Sequence, residues 1–558
     1  MTTEFAPKDR QSPSSPAAVS QATAWMIAVV AMVPMFAIYA AHFLGAPAGT
    51  SPTGFLQYDQ PAYAGDAYAA AAAGPPFVYG LPFSPYPDTP KVYFQPLSAV
   101  LGLFLLGTGF NPGYVYAALG ALLGVVMYRT GIAVAVAYVG DRLGRATWPV
   151  LLAFLWGGGA LVIAGVAKFW IAQHGVGDFA AAAFSVDPFS GWWCLNLGRN
   201  VYFTVEAFYH IVFLGAIWLV LMRRYGWALA AIAFESASHP FTGLELVLVV
   251  GAFAALERVV LRRPDPPLWF LAGVAAVLVA HLGYYMALLP ALSPEHRLLV
   301  LEWLHPWTLS VPSMTFAYGP VAALAGWAVF MTYRTESDDG RRRMRLALAW
   351  FVAAFSLANH ELVVAPRQPL HFTRGYVWTP LMLLALPLLA EWFNFALTLP
   401  RRALGLLAVV GPLLVICLDN AAWFGWHLSL MAQGQAAGSI WVSDDTIEVL
   451  KRLAAADMAD RLILSDEDRR SDDEDQLSYL AVIYDQSRAW LTTGDNTPRR
   501  RQREQELADL FTTGAEVAEW RQRPVVVVFG GGDPRVVARL RGDFSQVETI
   551  GHYTLLTR

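Results

Sequence analysis

The sequence predicts a polytopic α-helical membrane protein with a C-terminal α/β domain, and two observations carry this fold class. Of 558 residues, 56% are hydrophobic and 15% are charged, against about 25% charged in soluble domains. Eleven apolar runs follow one another between residues 24 and 424. The net charge of −4 provides no basic surface for nucleic acid, and two cysteines are too few for a disulfide scaffold or a cysteine-ligated metal cluster.

The chain begins with a polar segment, residues 1–22, which is rich in Ser, Pro and Ala and is predicted to be a disordered cytoplasmic tail. The apolar run 24–44 has no small-residue cleavage site close behind a short core, so it is predicted to be an anchor and not a removed signal peptide. About 20 apolar residues are needed to cross a bilayer. The further predicted spans are 114–138, 146–168, 202–222, 226–238, 241–257, 267–290, 313–333, 346–364, 376–396 and 403–424.

Arginine positions decide the number of predicted spans. Runs 226–238 and 241–257 are short and meet near Pro240, so one bent helix is the alternative to two spans. With two spans and an inner N-terminus, every arginine cluster falls on the inner side, whereas one span would move the last two clusters outside. The sequence therefore predicts eleven spans in a transmembrane domain of residues 23–425. The clusters are Arg142 and Arg145; Arg223 and Arg224; Arg258, Arg262 and Arg263; Arg341, Arg342, Arg343 and Arg345; and Arg401 and Arg402.

The predicted outer segments differ in composition from the inner ones. Residues 45–95, the first outer loop, and residues 169–200 are long and rich in Pro, Gly and aromatic residues. Long ordered loops are usually functional, so the working face is predicted to be extracytoplasmic. From 440 to 558, charge rises and helical stretches alternate with strand-like ones such as VVVVF at 525–529, which predicts a small extracytoplasmic α/β domain.

The first outer loop contains an acidic helix start. Asp59 followed by Pro61 predicts an acidic cap with proline in the first turn. Asp59, Tyr63 and Asp66 are spaced i, i+4 and i+7, so they share one helix face. An aromatic, proline-rich segment that includes Lys91 follows, and carboxylates beneath aromatic rings suit a sugar. The alternative is that Asp59 only caps the helix and that Asp66 is solvated.

The second outer loop provides further candidates. Trp192 and Trp193 are predicted either as membrane-interface anchors or as rings that stack on sugars. Arg199, Glu206 and His210 lie at the outer start of the next span, where charged groups are costly and are therefore functional candidates. The alternative is an ion pair between Arg199 and Glu206 that fixes the helix end.

Positive charge also lies in the fourth outer loop, at Arg367, His371 and Arg374, against the inner bias of membrane proteins. Guanidinium groups bind phosphate oxygens in a bidentate manner, so these residues predict a site for a lipid-linked phosphate. The alternatives are a headgroup contact or a pair with Glu361.

A helix break is predicted at His239, which lies between Glu235 and Glu245. Broken helices expose backbone groups that protein or water must satisfy. His239 is therefore a candidate binding residue, but no HxxxH or HExxH spacing supports a metal there. The sequence contains no GxSxG or C-x-x-C motif, so hydrolase and redox chemistry find no support.

Taken together, these features resemble the GT-C membrane glycosyltransferases, including the protein mannosyltransferase-like and aminoarabinose-transferase-like enzymes. Asp59-x-x-x-Tyr63 before an alanine-rich helix is similar to their first-loop motif. TVEAFYH at 204–210 and SHPFTGLE at 238–245 resemble blocks in uncharacterised bacterial members. TTGDNTPRRRQREQELADLF at 492–511 resembles a tail motif of those members, although Asp495 stands where they often have histidine.

The resemblance implies a sugar donor linked to a polyprenyl phosphate or diphosphate, and work on the extracytoplasmic face of a bacterial plasma membrane. It implies Asp59 as the base or the group that positions the acceptor, with Asp66 as a weaker second. The acceptor could be a lipid, a glycan or a protein. Many members carry consecutive acidic residues where this chain has Asp59-Gln60, so a divalent cation stays open as a cofactor and no metal ligand is assigned.

The resulting hypothesis is a glycosyltransferase in which Asp59 accepts the acceptor proton and outer-loop Arg and His residues bind the lipid phosphate. One alternative is a transporter or flippase of a lipid-linked sugar, which would need ionisable groups near the middle of the membrane; His281 and Asp419 are the candidates for that role. The other is a non-catalytic membrane assembly scaffold, which would not need an acidic loop under aromatic cover.

Overall fold

The structure is a computed structural model, and it describes residues 19–57, 59–108, 111–171, 186, 195–302, 307–435, 440–458, 460–466, 477–484, 486–492, 497–531 and 534–558. The predictions made for residues 1–18, for Trp192 and Trp193, and for Asp495 fall outside these residues.

Most of the described chain is α-helical. The helices that precede residue 440 are Gln21–Ala31, Val33–Leu44, Gln60–Ala73, Pro96–Thr108, Pro112–Val139, Thr147–Trp156, Leu161–Ile171, Thr204–Leu221, Tyr225–Ser238, Pro240–Ala255, Leu268–Leu282, Leu289–Leu292, Pro294–Glu302, Val311–Thr332, Asp338–Ala358, Trp378–Leu397 and Arg402–Ala432. Those that follow are Asp444–Leu453, Leu477–Tyr484, Arg500–Thr513, Ala518–Arg521 and Pro534–Leu540.

In the described residues, six helices are long and apolar enough to cross a membrane, and a bent pair, Gln21–Ala31 with Val33–Leu44, makes seven if it counts as one span. The predicted count of eleven is therefore not confirmed. Helices Tyr225–Ser238 and Pro240–Ala255 have only 14 and 16 residues, and Asp338–Ala358 begins with a run of aspartates and arginines. The six helices are Pro112–Trp156, Thr204–Leu221, Leu268–Leu292, Val311–Thr332, Trp378–Leu397 and Arg402–Ala432.

The predicted span 146–168 is broken in the middle, between Trp156 and Leu161. Asp419, on a neighbouring helix, accepts hydrogen bonds from the backbone N–H groups of Leu161 and Val162 at 3.1 and 3.0 Å. These are N–H groups that a helix start leaves without an internal partner. The buried carboxylate of Asp419 therefore has a structural explanation as a cap for a helix that begins inside the protein.

The segment around His239 is a helical hairpin whose two arms, Tyr225–Ser238 and Pro240–Ala255, are not among the described helices long enough to span, so the choice between two spans and one bent helix stays a prediction. His239 is extended (φ −149°, ψ 130°), and its Nδ1 accepts the backbone N–H of Thr242 at 3.1 Å. The two arms pack closely at Gly243, where a Cβ atom would lie 2.5 Å from Cα of Ser236. Only glycine allows this approach without a shift of the backbone.

The arginine clusters predicted to be inner lie at one end of the helices. Arg142 pairs with Glu336, and Arg223 pairs with Asp265 and Asp339, at 3.0 Å each. Because these residues come from separate predicted inner loops, the loops meet on one side of the helical layer.

The first outer loop and the C-terminal residues meet on one side as well. Strand β1 (Thr50–Pro52) pairs antiparallel with β2 (Trp441–Ser443). A five-stranded sheet follows, with the order β4-β3-β5-β7-β6; β3 is parallel to β4 and β5, and β7 is antiparallel to β5 and β6. Its strands are β3 (Leu462–Ser465), β4 (Arg488–Ala489), β5 (Val525–Gly530), β6 (Gln546–Ile550) and β7 (Tyr553–Thr557).

The helix Gln60–Ala73 of the first loop lies between the membrane helices and this sheet domain. Its Ala64 and Ala67 are fully buried in a cluster that also contains Tyr479 and Leu480. Near Ala67 the helix approaches Gly102 so closely that a Cβ there would lie 2.1 Å from the Ala67 carbonyl oxygen. An alanine-rich sequence is needed here because larger side chains would separate the layers.

A buried ion pair at the arginine-rich end of the helices should contribute strongly to stability. Arg345 donates two hydrogen bonds to the Glu257 carboxylate, one of them at 3.2 Å from Nη2, and both side chains are buried. Removing one partner of a buried pair costs about 3–5 kcal/mol. We expect Arg345→Ala to lower the thermal midpoint of the purified protein by several degrees in a detergent melting assay.

The matched control is Lys451→Ala, which removes an exposed pair with Glu448 at 3.5 Å. Exposed pairs contribute about 0–1 kcal/mol, so its midpoint should barely change. Equal losses in the two variants would contradict a special contribution from the buried pair.

Candidate active site

The candidate site surrounds Tyr63, which is partly buried on the helix Gln60–Ala73. Burial raises the pKa of the Tyr63 phenol above its ordinary value; the Arg374 cation acts against this rise, and the charges of Glu206, Asp59 and Asp66 add to it. Electrostatic influence falls with distance. The four charged groups, from three separate parts of the chain, therefore lie within electrostatic reach of one phenol.

The start of this helix is fixed by the side chain of Gln60. Its Oε1 accepts the backbone N–H of Leu56 at 2.8 Å, and its Nε2 donates to the carbonyl of Tyr202 at 3.1 Å. The Tyr202 hydroxyl in turn donates to the Leu56 carbonyl at 2.9 Å. These bonds tie the first-loop helix to the segment that leads into the helix Thr204–Leu221.

Asp59 lies at the N-cap position but does not cap the helix, so the predicted acidic cap is wrong. Its backbone is helical (φ −71°, ψ −24°), and the side chain makes no capping hydrogen bond, because a cap requires an extended N-cap residue. Instead, Gln57 Nε2 donates to Asp59 Oδ2 at 3.2 Å, and the Asp59 N–H donates to Gln57 Oε1 at 3.0 Å. The residue itself is exposed, so its carboxylate is accessible.

Asp66 is partly buried rather than solvated. Desolvation raises the pKa of its carboxyl group to about 7. It acts electrostatically on Tyr79 and Tyr93, whose ring centroids lie 5.8 Å apart. The predicted aromatic segment therefore covers Asp66.

Glu206 pairs with Arg374, and the alternative pair between Arg199 and Glu206 is wrong. The carboxylate of Glu206 is almost fully buried, and the Arg374 guanidinium is 16% exposed. Arg199 lies elsewhere: its Nε donates to Asn420 Oδ1 at 3.3 Å, and its guanidinium lies 5.7 Å from the Trp423 ring centroid. The reason is distance along the chain in each case: Asn420 lies on the helix Arg402–Ala432 and Arg374 in the loop before Trp378, and no local pattern links either of them to residues 199–206.

His210 positions the loop that carries Arg374. Its Nε2 lies 2.8 Å from the Arg374 carbonyl oxygen, and its Nδ1 lies 2.8 Å from the Glu206 carbonyl oxygen. The imidazole stacks on Tyr376, with centroids 4.5 Å apart and planes 8° apart. The buried ring therefore holds backbone and does not face an open binding surface.

The tip of the helical hairpin reaches the same loop. The His239 ring lies 4.5 Å from the Tyr209 ring, and Phe241 lies 4.5 Å from His371. His239 and His371 are thus brought to the margin of the site.

Two predicted binding residues are not among the charged groups that act on Tyr63. Arg367 is exposed, and its backbone N–H donates to His360 Nε2 at 2.9 Å. Lys91 is exposed in the aromatic segment.

The structure adds two residues that had no predicted role, Glu235 and Glu245. Both are fully buried, and both lie within electrostatic reach of Glu206. Their signal in the sequence was a pair of acids flanking a break between two apolar runs. In the part of the chain that the structure describes, no group of three or more His, Cys, Asp or Glu side chains is arranged to hold a metal ion.

Neither the protein-family models nor the curated proteins contain a match to this chain. Among solved structures, the chain is similar to the oligosaccharyltransferase of Archaeoglobus fulgidus in its apo form, with 11% identity and a TM-score of 0.41. The similarity covers 78% of this chain and 58% of that protein, so the chain matches little more than half the length of that protein.

The raised pKa of Asp66 predicts a pH-dependent contribution to stability. A carboxyl group with a pKa of 3.8 in the unfolded chain and about 7 in the folded protein binds its proton more tightly when folded. The free-energy cost of ionising this carboxyl group in the folded protein is absent below pH 4. It grows as pH rises from 4 to 7 and is constant above that range. Since asparagine stays neutral, we expect Asp66→Asn to gain thermal stability relative to the parent protein over this interval and to be the more stable at pH 8.

The measurement is the thermal midpoint at several pH values between 4 and 8. Asp88→Asn, at an exposed position of the same loop, is the control and should follow the parent curve. Parallel curves for Asp66→Asn and the parent protein would show that the Asp66 carboxyl is not desolvated.

Proposed function

We propose that the protein is a membrane glycosyltransferase that moves a sugar from a polyprenyl-phosphate carrier to a hydroxyl group of an acceptor. One observation supports this proposal: the carboxylate of Asp59, which is exposed, and the guanidinium of Arg374 both lie within electrostatic reach of the Tyr63 phenol. The reaction needs a proton acceptor and a cation for the leaving phosphate, and these are the two groups that converge.

In this mechanism the acceptor hydroxyl transfers its proton to Asp59, and its oxygen attacks the anomeric carbon of the sugar. The bond between that carbon and the phosphate oxygen breaks, and the electron pair leaves with the phosphate. General base catalysis contributes typically 10²–10⁴-fold. Arg374 stabilises the negative charge that develops on the leaving phosphate.

Other residues are assigned supporting roles. Asp66, with a pKa of about 7, can donate or accept a hydrogen bond at neutral pH and so suits a sugar hydroxyl. Tyr63, on which the charges of both Asp59 and Arg374 act, is assigned to orient the sugar. His210 is a positioning residue, because it holds the backbone of Arg374. Six further residues stay predictions: they are expected to line the edges of the donor and acceptor sites. They are Lys91, Trp192, Trp193, His239, Arg367 and His371.

The proposal includes a membrane arrangement. The N-terminus and the arginine clusters lie on the cytoplasmic side, and the chain crosses the bacterial plasma membrane eleven times. The first loop and the domain of residues 440–558 lie on the extracytoplasmic side. The pairing of β1 with β2 supports this, since two strands on one side of a membrane need an even number of crossings between them, and eleven spans leave ten after the first.

A transporter or flippase of a lipid-linked sugar is the second candidate. The buried carboxyl groups of Glu235 and Glu245 favour it, since transporters often use ionisable groups within the helical layer. His281, whose Nδ1 lies 2.9 Å from Ser236 Oγ, is a third such group. A transporter, however, would not depend on a base at Asp59.

Asp59→Asn should therefore abolish the formation of glycosylated product. The change keeps the size of the side chain and removes the proton acceptor. Mass spectrometry of membrane lipids and surface glycans, with and without the protein, identifies the product as a mass increment of one sugar unit. The increment should disappear in the Asp59→Asn strain and persist with the exposed control Asp88→Asn; an increment retained in Asp59→Asn would exclude the base and favour transport.

The ion pair should be needed for turnover but not for folding. In Glu206→Gln/Arg374→Gln both charges are lost together, so no unpaired buried charge is left. We expect a normal thermal midpoint and a loss of transfer of at least about 100-fold, as for the loss of a transition-state donor. Arg401→Gln, at an exposed position between two helices, is the control. Unchanged transfer in the double variant would exclude Arg374 as the phosphate ligand.

A further inference from the structure

Three glutamates form a buried cluster beside the candidate site: Glu206, Glu235 and Glu245. Each is at most 1% exposed. Arg374 binds one oxygen of Glu206, whereas the other Glu206 oxygen and both oxygens of Glu235 and of Glu245 accept no hydrogen bond from the residues that the structure describes. The Tyr376 hydroxyl lies within electrostatic reach of all three carboxyl groups, so they share one neighbourhood.

The fold explains why the three meet. Glu206 lies in the first turn of Thr204–Leu221, Glu235 in the last turn of Tyr225–Ser238, and Glu245 in the second turn of Pro240–Ala255. The hairpin break at His239 brings the latter two to its tip, and His239 itself lies within electrostatic reach of Arg374. The cluster therefore borders the loop that carries the proposed phosphate ligand.

An ionised carboxylate that is buried without hydrogen-bond donors costs several kcal/mol, and neighbouring carboxylates repel one another. Such groups titrate as a coupled set and keep protons that isolated groups would lose. Three carboxyl groups around one guanidinium exceed it in number, so full ionisation would leave a net negative charge in a dry environment.

His210 is a further titratable group beside the cluster. Both of its ring nitrogens lie 2.8 Å from carbonyl oxygens, and carbonyl oxygens only accept. A neutral imidazole has a single N–H, so it donates to one of these two carbonyls at a time.

The other titratable and charged groups around the cluster come from every packed element. Three of them come from helices of the transmembrane domain and the residues that follow: Tyr209 from Thr204–Leu221, and His281 and Tyr285 from the segment that begins at Leu268. The hairpin adds His239, and the loop before Trp378 adds His371, Arg374 and Tyr376. The first-loop helix adds Asp59, Tyr63 and Asp66. The helix Asp338–Ala358 has its charged residues at the opposite end, where Arg345 pairs with Glu257. Arg374 is the permanent cation of this set.

We propose that Glu235 and Glu245, beside the ion pair of Glu206 with Arg374, share protons, and that the site takes up a proton when it binds the anionic phosphate of its lipid ligand. The inference rests on the proposed function. An incoming anion beside a cluster already rich in carboxyl groups raises their affinity for protons, and each bound proton removes a repulsion. The affinity for the phosphate therefore rises as pH falls, by about tenfold per pH unit for each proton taken up.

The probe for this test is methyl farnesyl phosphate, a phosphodiester with one negative charge that does not titrate between pH 6 and 8. A phosphate monoester is unsuitable because its own second pKa lies near 6. Calorimetric titration of the purified full-length protein, at pH 6, 7 and 8 and in buffers with different ionisation enthalpies, gives both the affinity and the number of protons taken up.

We expect uptake of about one proton per bound probe. Glu235→Gln/Glu245→Gln mimics the protonated carboxyl groups, so its uptake should fall towards zero and its affinity at pH 8 should approach that of the parent protein at pH 6. Asp66→Asn removes the neighbouring carboxyl group, whose pKa is about 7. Proton uptake on binding should persist in this variant. Asp88→Asn is the matched exposed control.

The outcomes are distinct. Binding without proton uptake in the parent protein would overturn this inference and leave the proposed phosphate site intact. Uptake that disappears in Asp66→Asn but persists in the glutamine double variant would overturn it in favour of Asp66. Absence of binding at every pH would overturn both the inference and the proposed function. If the double variant does not fold, proton counting on the parent protein and on Asp66→Asn still decides between these results.

Discussion

The architecture of the site depends on the ion pair between Glu206 and Arg374. It joins the first turn of a long apolar helix to a loop 168 residues further along the chain. His210, one turn along the same helix, holds the backbone of that loop through its imidazole. Two side chains on one helix face thus fix the orientation of a single arginine, and the first-loop helix with Tyr63 packs over it. Without this pair, the buried Glu206 would lose its compensating cation, and the loop would lose its anchor.

Local features of this fold could be predicted because they depend on short patterns. The spacing of Asp59, Tyr63 and Asp66, the proline after Asp59 and the alanine run were enough to place one helix with its polar residues on one face. The break at His239 was visible from a proline between two apolar runs. The strand VVVVF was visible because buried parallel strands are continuously apolar.

Long-range partners could not be predicted from the same patterns. Arg199 and Arg374 are both arginines near Glu206 in the predicted topology, and no local rule decides which of them forms the pair. Asp419 looked like an isolated intramembrane charge, although it caps a broken helix far away in sequence. The number of spans could not be predicted for a related reason. The two hairpin arms are shorter than a bilayer crossing requires, and they are held together by close packing at Gly243.

The excess of carboxyl groups over cations gives the site its distinctive chemistry. Soluble phosphate sites are usually basic, whereas here buried acids lie near the guanidinium that the proposed function assigns to the phosphate. Under the proposed proton uptake, binding at this site would follow the pH of the compartment that it faces.

The pairing of Thr50–Pro52 with Trp441–Ser443 has a consequence for biogenesis. The first of these strands leaves the ribosome nearly 390 residues before its partner. It therefore stays unpaired during synthesis of the helices that lie between the two strands. Pairings of such high sequence separation form late and slowly. The contact between the first-loop strand and the C-terminal residues is therefore completed only at the end of synthesis, and a chain that ends before Trp441 would leave Thr50–Pro52 without its partner strand.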